Sequence, residues 1–315
     1  MKTLSYAVNA AVSFIVISLT SASAQSPNPK MATQIPPEIT MPDADETPPP
    51  VQLSAADALG KLGPEAAPYA NDIVQLLKSD NPRVRSGAAD LLGRLGPAAA
   101  PYTNEIVQLL KSDNPGVRSG AADALGSLGP AAAQYAHEIV QLLKSDNPGV
   151  RSSAADALGE LRSAAAPYAN EIAQLLKSDN PGVRSSAADA LGNLGIAAAS
   201  YTDEIAQLLK SDNPGARSGA ADALGKLGPV AAPYADDIIQ LLKSDNPGVR
   251  SSAADALGKL RLAAAPYANE IVQLLKSDNP GVRSSAADAL GKLGPAAEPY
   301  ANDITELLKS DKPRR

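Results

Sequence analysis

Through most of the chain, apolar residues recur in pairs of helical stripes separated by a stop. In residues 112–144, Val117, Ala121, Ala124, Leu125 and Leu128 follow at steps of 4, 3, 1 and 3, which places them on one face of a helix. Asn114 is a good N-cap, and Pro115 falls at the first helical position, where a missing N–H costs nothing. Gly129-Pro130 ends the stripe, because glycine takes the left-handed position after a helix and proline cannot continue one. After a short Ala131–Ala133 turn, Tyr135, Ile139, Val140, Leu142 and Leu143 form a second stripe. Lys144 closes it, at the end where a cation suits the helix dipole. Nothing in this stretch alternates with period two. The pattern predicts a helical hairpin.

That hairpin recurs. Ser-Asp-Asn-Pro begins at Ser79, Ser112, Ser145, Ser178, Ser211, Ser244 and Ser277, every 33 residues, and Ser310 opens the variant Ser-Asp-Lys-Pro. Extended backwards, the frame gives eight units of 33 residues: 46–78, 79–111, 112–144, 145–177, 178–210, 211–243, 244–276 and 277–309, with a tail at 310–315. A period of this size means a solenoid, in which each unit buries its apolar face only against its neighbours. The expected fold class is all-α, an α-solenoid of eight 33-residue helical hairpins.

The Thr-Pro-Leu-His start of ankyrin repeats and the Trp, Leu-Gly and Tyr spacing of tetratricopeptide repeats are both absent. Instead the unit carries Asp113-Asn114-Pro115-Gly116-Val117-Arg118, Ala121-Ala122, Ala124-Leu125-Gly126 and Leu128-Gly129-Pro130. This resembles the HEAT-like repeats of the bacterial phycobilisome-lyase type, in all eight units. The resemblance implies a charge ladder between neighbouring units, here Asp113 with Arg118, Asp146 with Arg151, Asp179 with Arg184 and their equivalents. The first unit departs, with Thr47 and Gln52 in those slots, so the ladder is expected to begin one unit in.

Residues 1–24 read differently. Lys2 precedes an apolar run from Tyr6 to Leu19, and Ala22-Ser23-Ala24 makes an A-x-A cleavage site before Gln25. The pattern is that of a secretory signal peptide, and implies export to a periplasm, a thylakoid lumen or the medium, with no membrane insertion once it is removed. An uncleaved anchor is the other reading of the same stretch. Residues 25–45, with Pro27, Pro29, Pro36, Pro37 and Pro42, are expected to be a disordered linker.

Composition narrows the function. No Cys excludes disulfides, thiolate metal sites and thiol catalysis, and no cofactor is implied. Basic residues number 28 against 34 acidic, a net −6 that argues against a nucleic-acid partner. Aromatics are 3% of the chain, which favours a core of Ala and Leu. Catalysis needs unlike groups converging on one point, whereas near-identical units set the same group in a row. The residues that break the repeat are therefore the candidates for chemistry. His137, the only His, stands where other units have Asn104 and Asn170. With Glu138 it is similar to one of the His-Glu pairs by which the HEAT-repeat deoxyhypusine hydroxylases hold two irons, but one pair is too few, and a surface histidine is expected. Bilin lyases share the repeat but act on cytosolic proteins. Arg162-Ser163, Ile196 and Arg261-Leu262 interrupt the usual Gly-Pro and are read as drift at an exposed turn, the other reading being anion contacts at Arg162 and Arg261. The Asp123 column (also Asp57, Asp90, Asp156, Asp189, Asp222, Asp255 and Asp288) is expected to be a solvated face with i,i+4 ion pairs such as Asp222 with Lys226. The tyrosine in each unit is expected to be a core residue opening the second helix, with its hydroxyl reaching out.

If second helices line the concave side, as the resemblance implies, the candidate interaction surface is a polar row. It comprises Asn104, Glu105, Gln108 and Lys111; Glu138 and Gln141; Asn170, Glu171, Gln174 and Lys177; and Gln207, Gln240 and Gln273. The sequence reading is then a monomeric, non-enzymatic, extracytoplasmic scaffold for a protein partner, with a structural spacer as the alternative.

Overall fold

The computed structural model describes residues 63–302 and 304–305. The expected signal peptide, the linker, the first helix of the first unit and the C-terminal tail lie outside the described residues.

Among the described residues the elements are all helical. Short helices α1 (Ala70–Leu76), α3 (Thr103–Leu109), α5 (Ala136–Gln141), α7 (Ala169–Gln174), α9 (Thr202–Gln207), α11 (Ala235–Gln240) and α13 (Ala268–Gln273) alternate with long ones. The long helices are α2 (Pro82–Arg94), α4 (Pro115–Ser127), α6 (Pro148–Glu160), α8 (Pro181–Leu194), α10 (Pro214–Leu227), α12 (Pro247–Leu260) and α14 (Pro280–Leu293). Each long helix is the first of its unit, and each short one the second.

The Ser-Asp-Asn-Pro loop starts the long helices from α4 onward by the same local device. The Asn114 side chain accepts a hydrogen bond from the Val117 N–H at 3.2 Å, and Pro115 occupies the first turn. Arg118 then reaches back: its Nη1 donates to the carbonyls of Ser112 at 2.6 Å and Asp113 at 3.0 Å. Arg151 and Arg184 do the same to Ser145 and Asp146, and to Ser178 and Asp179. This corrects the expected Asp–Arg ladder. The arginines hold main-chain oxygens left without partners at the end of the preceding second helix, while the carboxylates of Asp113, Asp146 and Asp179 stay exposed. A guanidinium is the donor best suited to such carbonyls, and a charge-assisted bond of this kind contributes about 1.5–3 kcal/mol.

The turn between the helices also differs from expectation. It is a seven-residue 3-10 run, such as Gly129–Tyr135, and the second helix ends in another short 3-10 turn, Leu142–Lys144. Proline inside most of these runs (Pro101, Pro167, Pro233, Pro266) lacks the N–H that an α-helix would use, which favours the tighter form. Each run leaves the long helix through a residue at positive φ: Gly129 at 54°, Gly195 at 60°, and also Arg162 and Arg261, both at 52°.

The core takes one leucine and one isoleucine from nearly every unit. Leu92, Leu125, Leu158, Leu191, Leu224 and Leu257 from the long helices meet Ile106, Ile139, Ile172, Ile205 and Ile238 from the short ones, all fully buried. Burying each contributes about 1.5–3 kcal/mol. Alanines fill the space between, as the scarcity of aromatics implied.

Candidate functional site

Which face can meet a partner depends on which helices lie inside the bend. The long helices of successive units pack backbone against backbone. A methyl group added at Gly126 would lie 2.8 Å from the Ala157 Cα; at Gly159, 2.8 Å from that of Ala190; at Gly192, 2.7 Å from that of Ala223. Only glycine permits this approach. The short helices of neighbouring units touch far less extensively. The side where units crowd is the inside of the curve, so the long first helices form the concave layer.

The aspartate column stands on that inner layer. A groove of about 570 Å³ runs across four units, lined by Asp123, Asp156, Glu160, Asp189, Asn193 and Lys226 among others. Burial raises the carboxyl pKa of Asp123, Asp189 and Asp222 in the groove, and of Asp90 and Asp255 further along the same column. Asp156 is pushed up to about 6, first by burial and then by Asp189, Asp123 and Glu160, against a hydrogen bond from Ser186 at 3.1 Å. Serines from the next unit serve the column elsewhere too, as Ser252 does Asp222 at 3.1 Å.

Cations are distributed unevenly along this layer. The residue after the Ala-Leu-Gly glycine is Arg94, Lys226, Lys259 or Lys292 toward the ends, but Ser127, Glu160 and Asn193 in the middle. The ion pair that forms is Lys226 with Asp189, at 3.5 Å, one unit back. The i,i+4 reading of Asp222 with Lys226 is thereby corrected: tight stacking of the long helices brings the neighbouring unit's carboxylate to the lysine. Asp255 likewise feels Lys292 of the next unit more than its own Lys259. No cation offsets Asp156.

A model of HEAT repeats matches residues 44–103, 70–137, 103–169, 169–240, 205–268 and 235–315. The chain belongs to the HEAT-repeat family. No curated protein matches this HEAT chain in sequence. Similar solved structures include an engineered protein, 24% identical, covering 82% of this chain and 80% of its own, with a TM-score of 0.52. The complex of CpcE and CpcF of phycocyanin lyase from Nostoc sp. PCC7120 is 21% identical, covering 86% and 100%, with a TM-score of 0.52. Kap121p bound to Pho4p is 16% identical over 83% of this chain and 34% of that one, with a TM-score of 0.57. These likenesses are of fold.

The candidate row sits elsewhere than expected. Asn104, Glu105, Gln108, Lys111, Gln141, Asn170, Gln174, Lys177, Gln207, Gln240 and Gln273 are exposed, and Glu138 and Glu171 half-buried, but all stand on short helices, or the turns that end them, in the outer layer of the HEAT solenoid. Asn104 is moreover occupied: it accepts a hydrogen bond from the Tyr135 hydroxyl of the next unit. Tyr102 donates likewise to Asn71, at 2.8 Å, and Tyr267 to Asp236. The tyrosines, half-buried against the core, thus peg adjacent outer helices together. His137 is exposed, its ring tilted against that of Tyr168 at 6.3 Å. Among the described residues no group of three or more His, Asp or Glu is placed to hold a metal ion. The inner groove was missed because the Asp column looked like any solvated helix face. The row of Ala-Leu-Gly glycines was the available sign that these helices crowd together.

Proposed function

We propose that the protein is a non-enzymatic interaction scaffold, working in an extracytoplasmic compartment, whose concave long-helix layer takes an extended, basic segment of a protein partner. The observation that carries this reading is the acidity at mid-array: Asp123, Asp156 and Glu160 share a groove into which units three to five place Ser127, Glu160 and Asn193 where other units have a cation, and Lys226 at its far end is already paired with Asp189. Half-buried carboxylates repelling one another are relieved by an incoming cation, and a groove spanning several units suits a chain laid across them. Protein complexes on this fold, such as CpcE with CpcF and Kap121p with Pho4p, support the choice of a protein partner. The A-x-A site before Gln25 supports the compartment.

The test is fluorescence anisotropy with a labelled extended peptide alternating Lys and Ser, against one alternating Glu and Ser. The Lys peptide should bind, more weakly with rising salt, and Asp156→Lys with Glu160→Lys should abolish binding. Equal binding of both peptides, or indifference to the double substitution, would sink the proposal. For the compartment, the exported form should begin at Gln25; an intact Met1 would count against it.

A further inference from the structure

The exposed large hydrophobics among the described residues are Ile196, Val230 and Leu262. They fall in three consecutive units, each on the 3-10 run that leaves the long helix. Ile196 and Leu262 take the place of a proline, and Val230 that of the next alanine. These runs stack along one edge of the solenoid. Ile196 is 80% exposed and Leu262 83%, so they stand out as tips with almost nothing around them, rather than framing a pocket.

Arginines bracket the tips. Arg162 stands one unit before Ile196, and Arg261 beside Leu262. Both hold φ at 52°, a conformation that the equivalent Gly96, Gly129, Gly195, Gly228 and Gly294 adopt without strain. Local backbone energy therefore opposes arginine at both places. The charges nearest along the chain belong to the groove: Glu160 and Lys226 line it and Lys259 acts on its aspartates. The charges of the edge itself are the two arginines, in a chain that is acidic as a whole. At about 10 Å per helix layer, the two arginines stand about 30 Å apart.

Isolated protruding side chains with adjacent cations suit a soft anionic surface, where apolar tips leave water and guanidinium groups meet phosphate. A second copy fits badly: two-fold pairing of this edge would set Arg162 against Arg261 and place like charges together. We propose that this edge attaches the protein peripherally to an anionic lipid bilayer, with Ile196, Val230 and Leu262 entering the headgroup region and Arg162 and Arg261 pairing with lipid phosphates. No span is involved: among the described residues no helix is long and apolar enough to cross a membrane. The proposal is independent of the inner groove, which faces elsewhere.

The chain has no Trp, so Leu262→Trp places a single reporter at one tip. Full-length protein carrying it is mixed with vesicles of phosphatidylglycerol and phosphatidylcholine in equal parts, or of phosphatidylcholine alone. The indole emission should shift to the blue with the anionic vesicles only. Adding Arg162→Gly with Arg261→Gly should weaken that response on the order of tenfold or more. Those substitutions install the residue other units carry, so unchanged circular dichroism is expected and the fold is not in question. Adding Ile196→Ser with Val230→Ser should remove the shift. An N-terminal apolar run that tethered the whole chain would leave the indole in water, so it cannot imitate this result. No shift with either vesicle, an equal shift with both, or indifference to the arginines overturns the proposal. So does a blue-shifted indole without lipid in a protein that elutes as a dimer, which would assign the edge to a second copy.

Discussion

Among the described residues the inner and outer layers of this solenoid are built from the same number of helices, yet they are held together differently. On the inside, long helices touch through glycine and the Cα of the next alanine, as at Gly159 and Ala190, and leave no room for adjustment. On the outside, short helices stand apart and are joined by pegs, such as Tyr135 to Asn104. Crowding on one side alone bends the array, and it also strips water from the carboxylates that ride on the crowded side. The acidity of Asp156 is thus a consequence of packing as much as of sequence.

The strongest challenge to this contrast is Gly159→Ala. Helix propensity favours alanine, but the new methyl would meet backbone, and a net loss of about 2–3 kcal/mol in urea unfolding is expected. A neutral result would mean that the inner layer yields as easily as the outer. Less drastic is Asp156→Asn. The folded-state pKa of about 6 lies above the unfolded value near 3.8, so this carboxyl's contribution is fully present below pH 3.8 and is lost as pH rises through 6. Discounted for exposure, the substitution should gain about 1 kcal/mol at pH 7 and flatten the fall in melting temperature between about pH 4 and 6, the range set by that shift. An unchanged pH profile would show the groove to be better hydrated than its geometry implies. On the outer layer, Tyr135→Phe should cost about 0.5–1.5 kcal/mol in urea unfolding, the worth of one hydrogen bond. The smallest effect belongs to Gly291→Ala at the last long helix, where nothing lies within 4 Å and alanine should stabilise by about 0.4–1 kcal/mol. Loss of stability there would indicate a neighbour packed against that end.

Local features were readable in advance because local physics determines them. The Asn114 cap, the Pro115 start, the Gly129 stop and the 33-residue period all survive into the fold. Layer order was not readable, because both stripes of the unit are apolar and either helix could have faced inward. What decides it is the pairing of Gly126 with Ala157, a relation between units that no single unit displays. The arginine column was misread for a related reason. Arg118 sits close to Asp113 in either reading, but only the conformation of the loop presents carbonyls, rather than the carboxylate, to the guanidinium. Lys226 chose Asp189 over Asp222 because stacking distance, not helical spacing, governs who is nearest.

The glycine–alanine contacts also give the molecule a mechanical character. A row of backbones already touching cannot shorten, so it acts as a line of nearly fixed length along which the array flexes. Changes of curvature are then taken up by the pegged outer helices, which open or close like the outer edge of a fan. Stretching the molecule straight requires those contacts to separate in succession, each at similar cost, so that extension under load proceeds in near-equal steps, unit by unit, and not as a single rupture.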